Sequence, residues 1–569
     1  MNSITTMKRI ISIALAATML LTTLVGCGKK EDPKPAESAS TPSDSSSSSK
    51  PEPDKPEEPK TLNVTFTGDI TTLDPSLCYS NKTAEVLSNS TAALFKHDVE
   101  GQIVNEMVKD YTVSEDGLSY TFNLRDDFKW TNGDPVTAHD FVYAMRRIAD
   151  PDTGSTYANT VVNACLVNSQ EVIDGKMDTS ELGVTAPEDY VLQLNLFRPC
   201  PYLMTYLCEA SFLPINQKYC ESQGEKFGTA PQYQIWSGAY TVTDWQTEYE
   251  VKLAKNPEYP MADDIKIDNV SIKIIKDINT AVNLFETGEL DYVELTGEQA
   301  VQYRDDPRSV VMPSTVMNFL VLNQIRNPIL ANTNARKAIA YVFDKQFVVD
   351  EIQSNGASVA DYIIPYGLDF DENGKDFRDT TNIPPAYDIE KGKEYWAKAK
   401  DELKLDNYEV KLMIGDSAKS KRLAEFFQSQ LEKNLDGLTV AFEYCTSKTG
   451  IEKEISGDFD TTFSSWSVDF IDLSFFIDMF TTGSYINTGR FHNEEYDELC
   501  AKANNEDVSN QKARWDDLRR AEEILVVEEM GVLPIYQDAD MYLVSDNVKG
   551  FHNTAVKPEH YYGLMDITK

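Results

Sequence analysis

Histidine and the common catalytic motifs are scarce in this sequence. Only five of its 569 residues are histidine, and they are scattered along the chain. There is no HExxH pair, no GxSxG elbow and no cysteine–histidine signature, which are the patterns of zinc proteases, serine hydrolases and cysteine proteases. The sequence therefore predicts no catalytic residue, no metal site and no cofactor. An exported hydrolase with an Asp/Glu pair at glycosidase spacing stays open as an alternative, although so acidic a chain produces carboxylate pairs by chance.

Basic residues are also few. The chain has 53 lysines and arginines against 92 aspartates and glutamates, which gives a formal net charge of −39. Such a charge argues against nucleic acid as a partner and against a basic helix lying on a membrane surface. Acidic solubility is the simplest explanation of this charge, which also mildly favours cationic ligands.

The cysteines do not form a recognisable framework. No two of the eight have CxxC spacing, which argues against a structural zinc site. Most of those that follow Cys27 are expected to be buried or free thiols, and a disulfide bond from Cys200 to Cys208 or Cys220 remains open. The seven are Cys78, Cys165, Cys200, Cys208, Cys220, Cys445 and Cys500.

The apolar run near the start of the chain, IISIALAATMLLTTLV, follows Lys8 and Arg9 and is short for a membrane span. This pattern is typical of an export signal. The run ends in LVGC, which resembles the lipobox of bacterial lipoproteins. The resemblance implies that residues 1–26 are removed and that Cys27 carries the lipid. An ordinary signal peptide with a chance cysteine is the alternative.

Residues 27–60 consist mainly of serine, proline, glutamate and lysine, with no large apolar residue. Such a segment cannot bury enough apolar surface to offset the entropy of ordering, and it predicts an extended, disordered tether. Lipid and tether together imply a protein held on the extracytoplasmic face of the cell membrane.

From Thr61 onward, strand and helix patterns alternate for about 510 residues. This length is too great for one core and predicts two or three α/β lobes. Apolar residues at every second position indicate strands. The strand-like segments are TLNVTFTGD, GLSYTFNL, YVLQLNL, YTVTDW, YEVKLAKNP, NVSIKII and GVLPIYQ.

Apolar residues at helical spacing lie between these strands. Helical patterns occur in EVLSNSTAALF and in NQKARWDDLRRAEEILVVEE. Thr137 and Asp140 predict a capping box at the start of the helix DFVYAMRRI, which Asp150 and Pro151 end.

Two further helices are predicted together with their ends. In NTAVNLFETGELDYV, the cap is expected at Asn279 or Thr280 and the stop at Gly288. TNARKAIAYVFDKQFVVDEI predicts one longer helix that continues to Asn355 and Gly356.

Six segments, in order, resemble one family: the family 5 solute-binding proteins of ABC importers, which include oligopeptide-, dipeptide- and nickel-binding proteins. The segments are TTLDPSL, GLSYTFNLRDDFKWTNGDPVTAHDFVYAMRRIADP, GVTAPEDYVLQLNL, SGAYTVTDW with LAKNPEY, NARKAIAYVFDKQFVV and VLPIYQ. The resemblance implies a class II periplasmic-binding-protein-like α/β fold of two hinged lobes and a third, family-specific lobe. It implies crossing strands near residues 320 and 530. The implied divisions are residues 61–104, 212–319 and 531–569 for lobe I, 105–211 for lobe II and 320–530 for lobe III.

The stretch FSSWSVDFIDLSFF, residues 463–476, places aspartates in an aromatic run. A buried carboxylate needs a partner, because an unpaired buried charge costs several kcal/mol or becomes protonated. Residues 466–472 resemble the W-x-A-D-Y-x-D/E-P motif of the oligopeptide-binding branch. The resemblance implies that Asp469 receives the α-ammonium group of a bound peptide and that Trp466 walls a side-chain pocket. The sequence departs from this motif at Phe470, where tyrosine is usual, and at Leu473, where proline is usual.

Two edges of the peptide site are implied by the same resemblance. One is the strand Phe463, Ser464 and Ser465, which would hydrogen-bond the peptide backbone as an added β-strand. The opposing edge, after the LDP turn, is Tyr79, Ser80 and Asn81. Asp472 is expected to cap a following helix. A helix cap for Asp469 and a plain core position for Trp466 are the alternatives.

The function implied is capture of oligopeptides outside the cell and their delivery to the permease of an ABC importer. The protein is expected to act as a monomer without catalysing a reaction. A dipeptide, a nickel chelate, a haem or a signalling peptide is the alternative ligand. A purely structural or adhesive surface protein would predict repeats and a wall-anchoring tail, which the sequence lacks.

Overall fold

The computed structural model describes residues 58–371, 373–415, 417–468, 471–508, 510–554 and 558–568. The predicted signal peptide, Cys27, most of the predicted tether, Asp469 and Phe470 lie outside these residues.

The strands are β1 (Thr61–Phe66), β2 (Phe95–His97), β3 (Ile103–Asn105), β4 (Val108–Val113), β5 (Ser119–Leu124), β6 (Val184–Glu188), β7 (Val191–Asn195), β8 (Tyr240–Gln246), β9 (Glu250–Lys255), β10 (Asn269–Ile274), β11 (Tyr292–Leu295), β12 (Ser309–Leu322), β13 (Ser358–Val359), β14 (Tyr408–Ile414), β15 (Leu438–Tyr444), β16 (Thr461–Trp466), β17 (Val532–Val544), β18 (Val548–Lys549) and β19 (Asp566–Ile567).

Helices alternate with these strands, so the predicted α/β organisation is confirmed. The α-helices are α1 (Asn81–Ser90), α2 (Ala138–Ala149), α3 (Thr160–Asn163), α4 (Ser169–Ile173), α5 (Leu203–Tyr206), α6 (Gln217–Gln223), α7 (Ile278–Glu286), α8 (Gly297–Tyr303), α9 (Pro328–Ala331), α10 (Thr333–Val342), α11 (Lys345–Phe347), α12 (Ile389–Leu403), α13 (Ala418–Asn434), α14 (Ser447–Ser456), α15 (Ser474–Asp478), α16 (Glu494–Asn505) and α17 (Gln511–Glu523). None of the helices in the described ranges combines the length and apolar character that crossing a bilayer requires.

The largest sheet has seven strands, in the order β11-β17-β12-β16-β14-β15, with β13 paired to β17. At its centre, β12 and β17 form a long antiparallel pair whose register shifts between Pro313 and Met317. These two strands coincide with the crossing strands expected near residues 320 and 530. Two four-stranded sheets, β1-β10-β9-β8 and β4-β5-β7-β6, complete the main framework.

The central sheet buries both of its faces. Along β12, Leu320 and Leu322 pack on one side with α10, α12 and α13. Phe319 and Val321 pack on the other side with α15, α16 and α17. This two-sided burial follows from the alternation of side chains along a strand.

The structure confirms several local predictions and corrects three. Thr137 and Asp140 form the expected capping box of α2. The cap of α7 is Asp277 rather than Asn279 or Thr280, because its carboxylate accepts the Thr280 amide at 2.9 Å.

The predicted long helix breaks after Val342, where Asp344 accepts the Phe347 amide at 3.0 Å and starts a new helix. A capping side chain competes with continuation of the helix, which explains the break. The segment EVLSNSTAALF is helical only to Ser90, and Phe95 already belongs to β2.

The seven cysteines after Cys27 are all free thiols. The disulfide bond from Cys200 that the sequence left open is not formed. Six of the seven are buried, and only Cys445 is half-buried.

Candidate functional site

A cavity of about 620 Å³, hereafter the main cavity, lies where segments from distant parts of the chain meet. This volume is within the range of small-molecule and peptide sites. The walls come from residues within the segments 78–84, 156–163, 206–211, 314–316 and 467–468, and from Asp540, Asn553, Thr554 and Glu559.

The LDP turn carries one wall of the main cavity. The buried carboxylate of Asp74 accepts two hydrogen bonds from the Arg147 guanidinium of α2, both 2.7 Å long. Asp74 also accepts the Ser76 amide at 3.0 Å. Gly228 passes so close behind the turn that a Cβ there would lie 2.5 Å from the Asp74 nitrogen. These contacts fix the start of the segment that continues into the cavity wall.

Another wall forms where the pairing between β12 and β16 ends. The two strands are paired antiparallel up to Met317 and Trp466. On its other side, β16 pairs with β14 only through Thr461 and Thr462. In the described part of the chain, the β14-facing edge of β16 therefore has no partner strand from Phe463 onward. An unpaired edge of this kind is able to take an extended peptide as an added strand.

The predicted edge after the LDP turn lines the main cavity: Tyr79, Ser80 and Asn81 are all in its wall. The other predicted edge lies on β16, and Ser467 and Val468, which follow it directly, face them across the same cavity. The structure thus places the first predicted edge in the cavity wall, with Tyr79 strongly exposed at 59 %. Of the second edge, only the residues that follow it reach the wall.

The remaining predicted residues lie just outside the cavity lining. The Phe463 ring packs edge-to-face on Phe427, with 5.6 Å between ring centroids. Ser464 and Ser465 belong to the paired part of β16. Trp466 is half-buried against the apolar cluster that covers one face of the central sheet. Asp469, which lies outside the described residues, directly follows Val468.

Asp472 of the aromatic run and Asp478, just beyond it, have protein partners. Asp472 is buried and accepts a 2.5 Å bond from the Arg514 guanidinium and a 2.8 Å bond from the Ser474 amide. Asp472 therefore contacts the first amide of α15, but the cap residue is Leu473 and not Asp472 as expected. Asp478 accepts two bonds from the Asn504 side-chain amide, at 2.9 and 2.8 Å. Burial and the charge of Asp472 raise the pKa of Asp478 to about 7.

A second cavity, of about 370 Å³, lies beside the Asp472–Arg514 pair. Its wall combines segments around residues 101–103, 204–205 and 367–370 with this pair. Next to it, the Thr205 hydroxyl donates to the Ile471 carbonyl at 3.2 Å. This contact ties the segment that follows Asp469 to α5.

The electrostatics of the main cavity centre on acidic side chains. Asp540, in β17, accepts a hydrogen bond from the Asn553 amide at 3.1 Å. Burial, together with the negative charges of Glu294, Glu559 and Asp538, raises the pKa of Asp540 to about 6. The cavity wall therefore contains a carboxylate whose ionised form is disfavoured by burial and by neighbouring negative charges.

One cluster has the composition of a metal site. The possible ligand atoms of Glu85, Glu559 and His560 lie within 4.8 Å of one another. Two of these residues already interact with protein groups. The Tyr562 hydroxyl donates a hydrogen bond to Glu85 at 2.6 Å, and the Lys82 ammonium forms an ion pair with Glu559 at 3.5 Å. The ammonium group supplies there the positive charge that a cation would bring.

Several wall segments were missed by the sequence predictions. The wall residues in segments 156–163 and 206–211, and Asn553, Thr554 and Glu559, have no local signal, because only the tertiary fold brings them to the cavity. Asp540 did have a signal. The segment QDAD, which contains three polar residues, interrupts the otherwise apolar strand VLPIYQDADMYLV.

The α/β framework and a cavity between distant segments are compatible with a protein that binds a solute. The model of the bacterial extracellular solute-binding proteins, family 5, matches residues 102–488. The chain therefore belongs to this family.

Relatives and solved structures agree with this assignment. The dipeptide-binding protein of Lactococcus lactis is 29 % identical over 518 residues, which cover 88 % of this chain and 94 % of the relative. The substrate-binding domain of an oligopeptide ABC transporter from Bacillus anthracis is 33 % identical, with a TM-score of 0.65. The match covers 90 % of this chain and 100 % of that structure.

A third structure shows a closer match in shape. MppA, a periplasmic murein tripeptide-binding protein, is 26 % identical in its unliganded open form, and the match covers 90 % of this chain and 98 % of that one. Its TM-score of 0.79 exceeds the 0.65 of the Bacillus anthracis domain despite the lower identity. The present structure therefore resembles an open form of this fold.

Proposed function

We propose that this protein captures oligopeptides outside the cell and delivers them to the permease of an ABC importer. The observation that carries the proposal is the main cavity, because Tyr79, Ser80 and Asn81 line the same space of about 620 Å³ as Ser467 and Val468, which directly follow β16. Family membership supports it, as does the similarity to dipeptide-, oligopeptide- and murein tripeptide-binding proteins.

Backbone pairing is the proposed mode of peptide binding. The unpaired edge of β16, which begins at Phe463, supplies the main-chain groups, and Ser464 and Ser465 lie on this edge. Such pairing reads the peptide backbone and leaves side chains to surrounding pockets, so many sequences are accepted. Trp466 forms one wall of such a pocket in this proposal.

Asp469 is proposed as the receptor of the peptide α-ammonium group. A charge-assisted hydrogen bond contributes about 1.5 to 3 kcal/mol, and it also sets the direction of the peptide. The support is its position in the sequence, directly after two residues that line the main cavity.

Binding is proposed to close the cavity by a hinge motion of the lobes. The lobes are residues 61–104, 212–319 and 531–569, residues 105–211, and residues 320–530. Resemblance to an unliganded open form and the shifted register at Pro313–Met317 of the crossing strands support this motion. We further propose that Cys27 carries a lipid that holds the protein at the membrane, as a monomer.

Calorimetric titration tests the peptide site. The variant Asp469→Ala should bind a free-amino peptide at least about tenfold more weakly than the wild type, because one charge-assisted bond is lost. Acetylation of the peptide amino terminus should weaken binding to the wild type by a similar factor and have little further effect on the variant.

A matched control is Asp436→Ala, since the Asp436 side chain is 95 % exposed and does not line the main cavity. Its affinity should equal that of the wild type. Equal affinity of Asp469→Ala and wild type for the free-amino peptide would remove Asp469 from the site.

A further inference from the structure

Two cysteines from different segments meet beside a wall residue of the main cavity. Cys165 follows the end of α3, and Cys200 precedes α5. Both thiol groups are directed at one backbone atom, the Asn163 carbonyl oxygen, at 3.4 Å for Cys165 and 3.8 Å for Cys200. A side-chain hydrogen bond also joins the two thiols. Since Asn163 lines the main cavity, a single carbonyl group connects the pair to the cavity wall.

Backbone contacts hold this pair in place. The Phe197 amide donates to the Cys165 carbonyl at 2.9 Å, and Leu166 forms an antiparallel bridge with Leu196. Cys165 itself has a φ of 60°, a left-handed conformation that residues with a Cβ seldom adopt. Backbone strain of this kind clusters at functional sites. The local fold therefore keeps Cys165 beside Cys200 although its backbone is strained.

The surroundings of the two thiols differ. The hydrogen bond from Cys200 lowers the pKa of the Cys165 thiol against the effect of burial. The Arg198 charge and the Tyr202 hydroxyl act in the same direction, and a 2.8 Å hydrogen bond joins these two groups. Burial and the interaction with Cys165 raise the pKa of Cys200. A thiolate next to a positive charge, with a second thiol in contact, has the surroundings of a cysteine that is oxidised selectively.

Cys208 and Cys220, the disulfide partners that the sequence left open for Cys200, have other contacts. The Cys208 thiol donates to the Met204 carbonyl at 3.4 Å, and Cys220 is hydrogen-bonded to the Tyr143 hydroxyl. Burial raises the pKa of both thiols. These two cysteines therefore have the environment of unreactive core thiols.

From this geometry, we propose that Cys165 and Cys200 are a redox-active pair, which hydrogen peroxide oxidises to a disulfide bond next to the main cavity. This inference does not depend on the proposed function.

The oxidation has two steps. The Cys165 thiolate attacks one oxygen of the peroxide, the O–O bond breaks, and the leaving hydroxide takes up the proton that Cys165 released. The Cys200 sulfur then attacks the sulfenic sulfur of Cys165, the S–O bond breaks, and the departing hydroxyl takes the Cys200 proton and leaves as water. The two sulfur atoms together lose two electrons, which the peroxide oxygens accept. Two thiols and one hydrogen peroxide thus give one disulfide and two molecules of water.

The disulfide bond should constrain the chain behind the cavity wall. It closes a loop of roughly 35 residues, which restricts the unfolded chain and should raise Tm by about 2 to 4 °C in a protein of this size. It also removes both thiol donors from the Asn163 carbonyl.

Mass spectrometry of the full-length protein tests the pair. The reduced protein is treated with hydrogen peroxide, the remaining thiols are alkylated after denaturation, and the peptides are mapped. We expect an intact mass that is lower by about 2 Da before alkylation, because two hydrogen atoms are lost. Two fewer cysteines should be alkylated, and a linked peptide should contain Cys165 and Cys200. Dithiothreitol should restore the reduced mass.

Variants separate the roles of the two cysteines. Cys200→Ser removes the resolving thiol, so dimedone, which reacts with sulfenic acids, should label Cys165 in this variant and much less in the wild type. Cys165→Ser should show neither label nor link at Cys200. Arg198→Gln should slow disulfide formation several-fold, because the Cys165 thiolate loses a neighbouring positive charge. Cys208→Ser is the matched control, since Cys208 is also a buried thiol, and it should form the link at the wild-type rate.

Three results would overturn the proposal. The first is an unchanged mass after peroxide treatment, and the second is addition of oxygen atoms without loss of two thiols. The third is a link from Cys200 to Cys208 or Cys220. All three are measured on the wild type, so the folding of a substituted chain does not affect them.

Discussion

Removal of the Arg147 guanidinium should break the ion pair that holds the LDP turn (Leu73, Asp74 and Pro75) against α2. In the substitution Arg147→Met, Asp74 loses two charge-assisted hydrogen bonds of 2.7 Å and keeps only the Ser76 amide. The Asp74 side chain is 2 % exposed, so its charge is left buried without a partner. Breaking a buried ion pair in this way costs about 3 to 5 kcal/mol. Arg147 is itself 19 % exposed, which lets water reach the site and places the expected loss near the lower limit, at about 3 kcal/mol.

The assay is urea denaturation of the purified protein, with the free energy of unfolding taken from the transition. The double variant Asp74→Asn/Arg147→Met should recover part of the loss, because the amide carries no charge. Peptide affinity should also fall in Arg147→Met, since the turn leads into Tyr79, Ser80 and Asn81 of the cavity wall. A loss below about 1 kcal/mol, or a double variant as unstable as the single one, would refute the reasoning.

Two further predictions concern other parts of the chain. Asp478 has a raised pKa of about 7 in the folded state, so the folded protein binds the extra proton between about pH 4 and 7 and stability falls as pH rises through this window. The substitution Asp478→Asn should therefore be more stable than the wild type at pH 8 by about 2 kcal/mol and similar to it at pH 4, measured by denaturation at both pH values; a constant difference across pH would contradict this. Cys27→Ala should move the protein from the membrane fraction to the medium or periplasm, measured by fractionation, whereas continued release by detergent alone would exclude lipid attachment there.

Local chemistry was the predictable part of this molecule. The alternation in TLNVTFTGD and YTVTDW is visible in the sequence and became β1 and β8. The capping box of Thr137 and Asp140 needs only residues three positions apart, so it too was visible.

Choices between competing local signals were less predictable. Asp277 precedes Asn279 and Thr280, and all three residue types are good helix caps, so composition alone does not decide among them. At Asp344 the apolar stripe continued through the sequence, and only the capping bond to the Phe347 amide shows that the helix restarts there.

The candidate site was also predictable from the sequence only in part. Resemblance in linear motifs pointed to Tyr79, Ser80 and Asn81, which line the main cavity, and to β16, of which only the following residues Ser467 and Val468 do so. The remaining walls come from segments far apart in the sequence, with no motif of their own. The acidic character of the wall depends on which of the 92 carboxylates the fold turns inward, and composition does not contain that information.

The most direct test of the central claim is native mass spectrometry of the purified protein mixed with a pool of free-amino peptides of two to eight residues, a nickel chelate and haem. We expect complexes whose added masses match peptides, and their loss when the pool is acetylated at the amino termini. Complexes with nickel chelate or haem alone would contradict peptide binding. Retention of acetylated peptides at equal intensity would contradict the proposed role of Asp469.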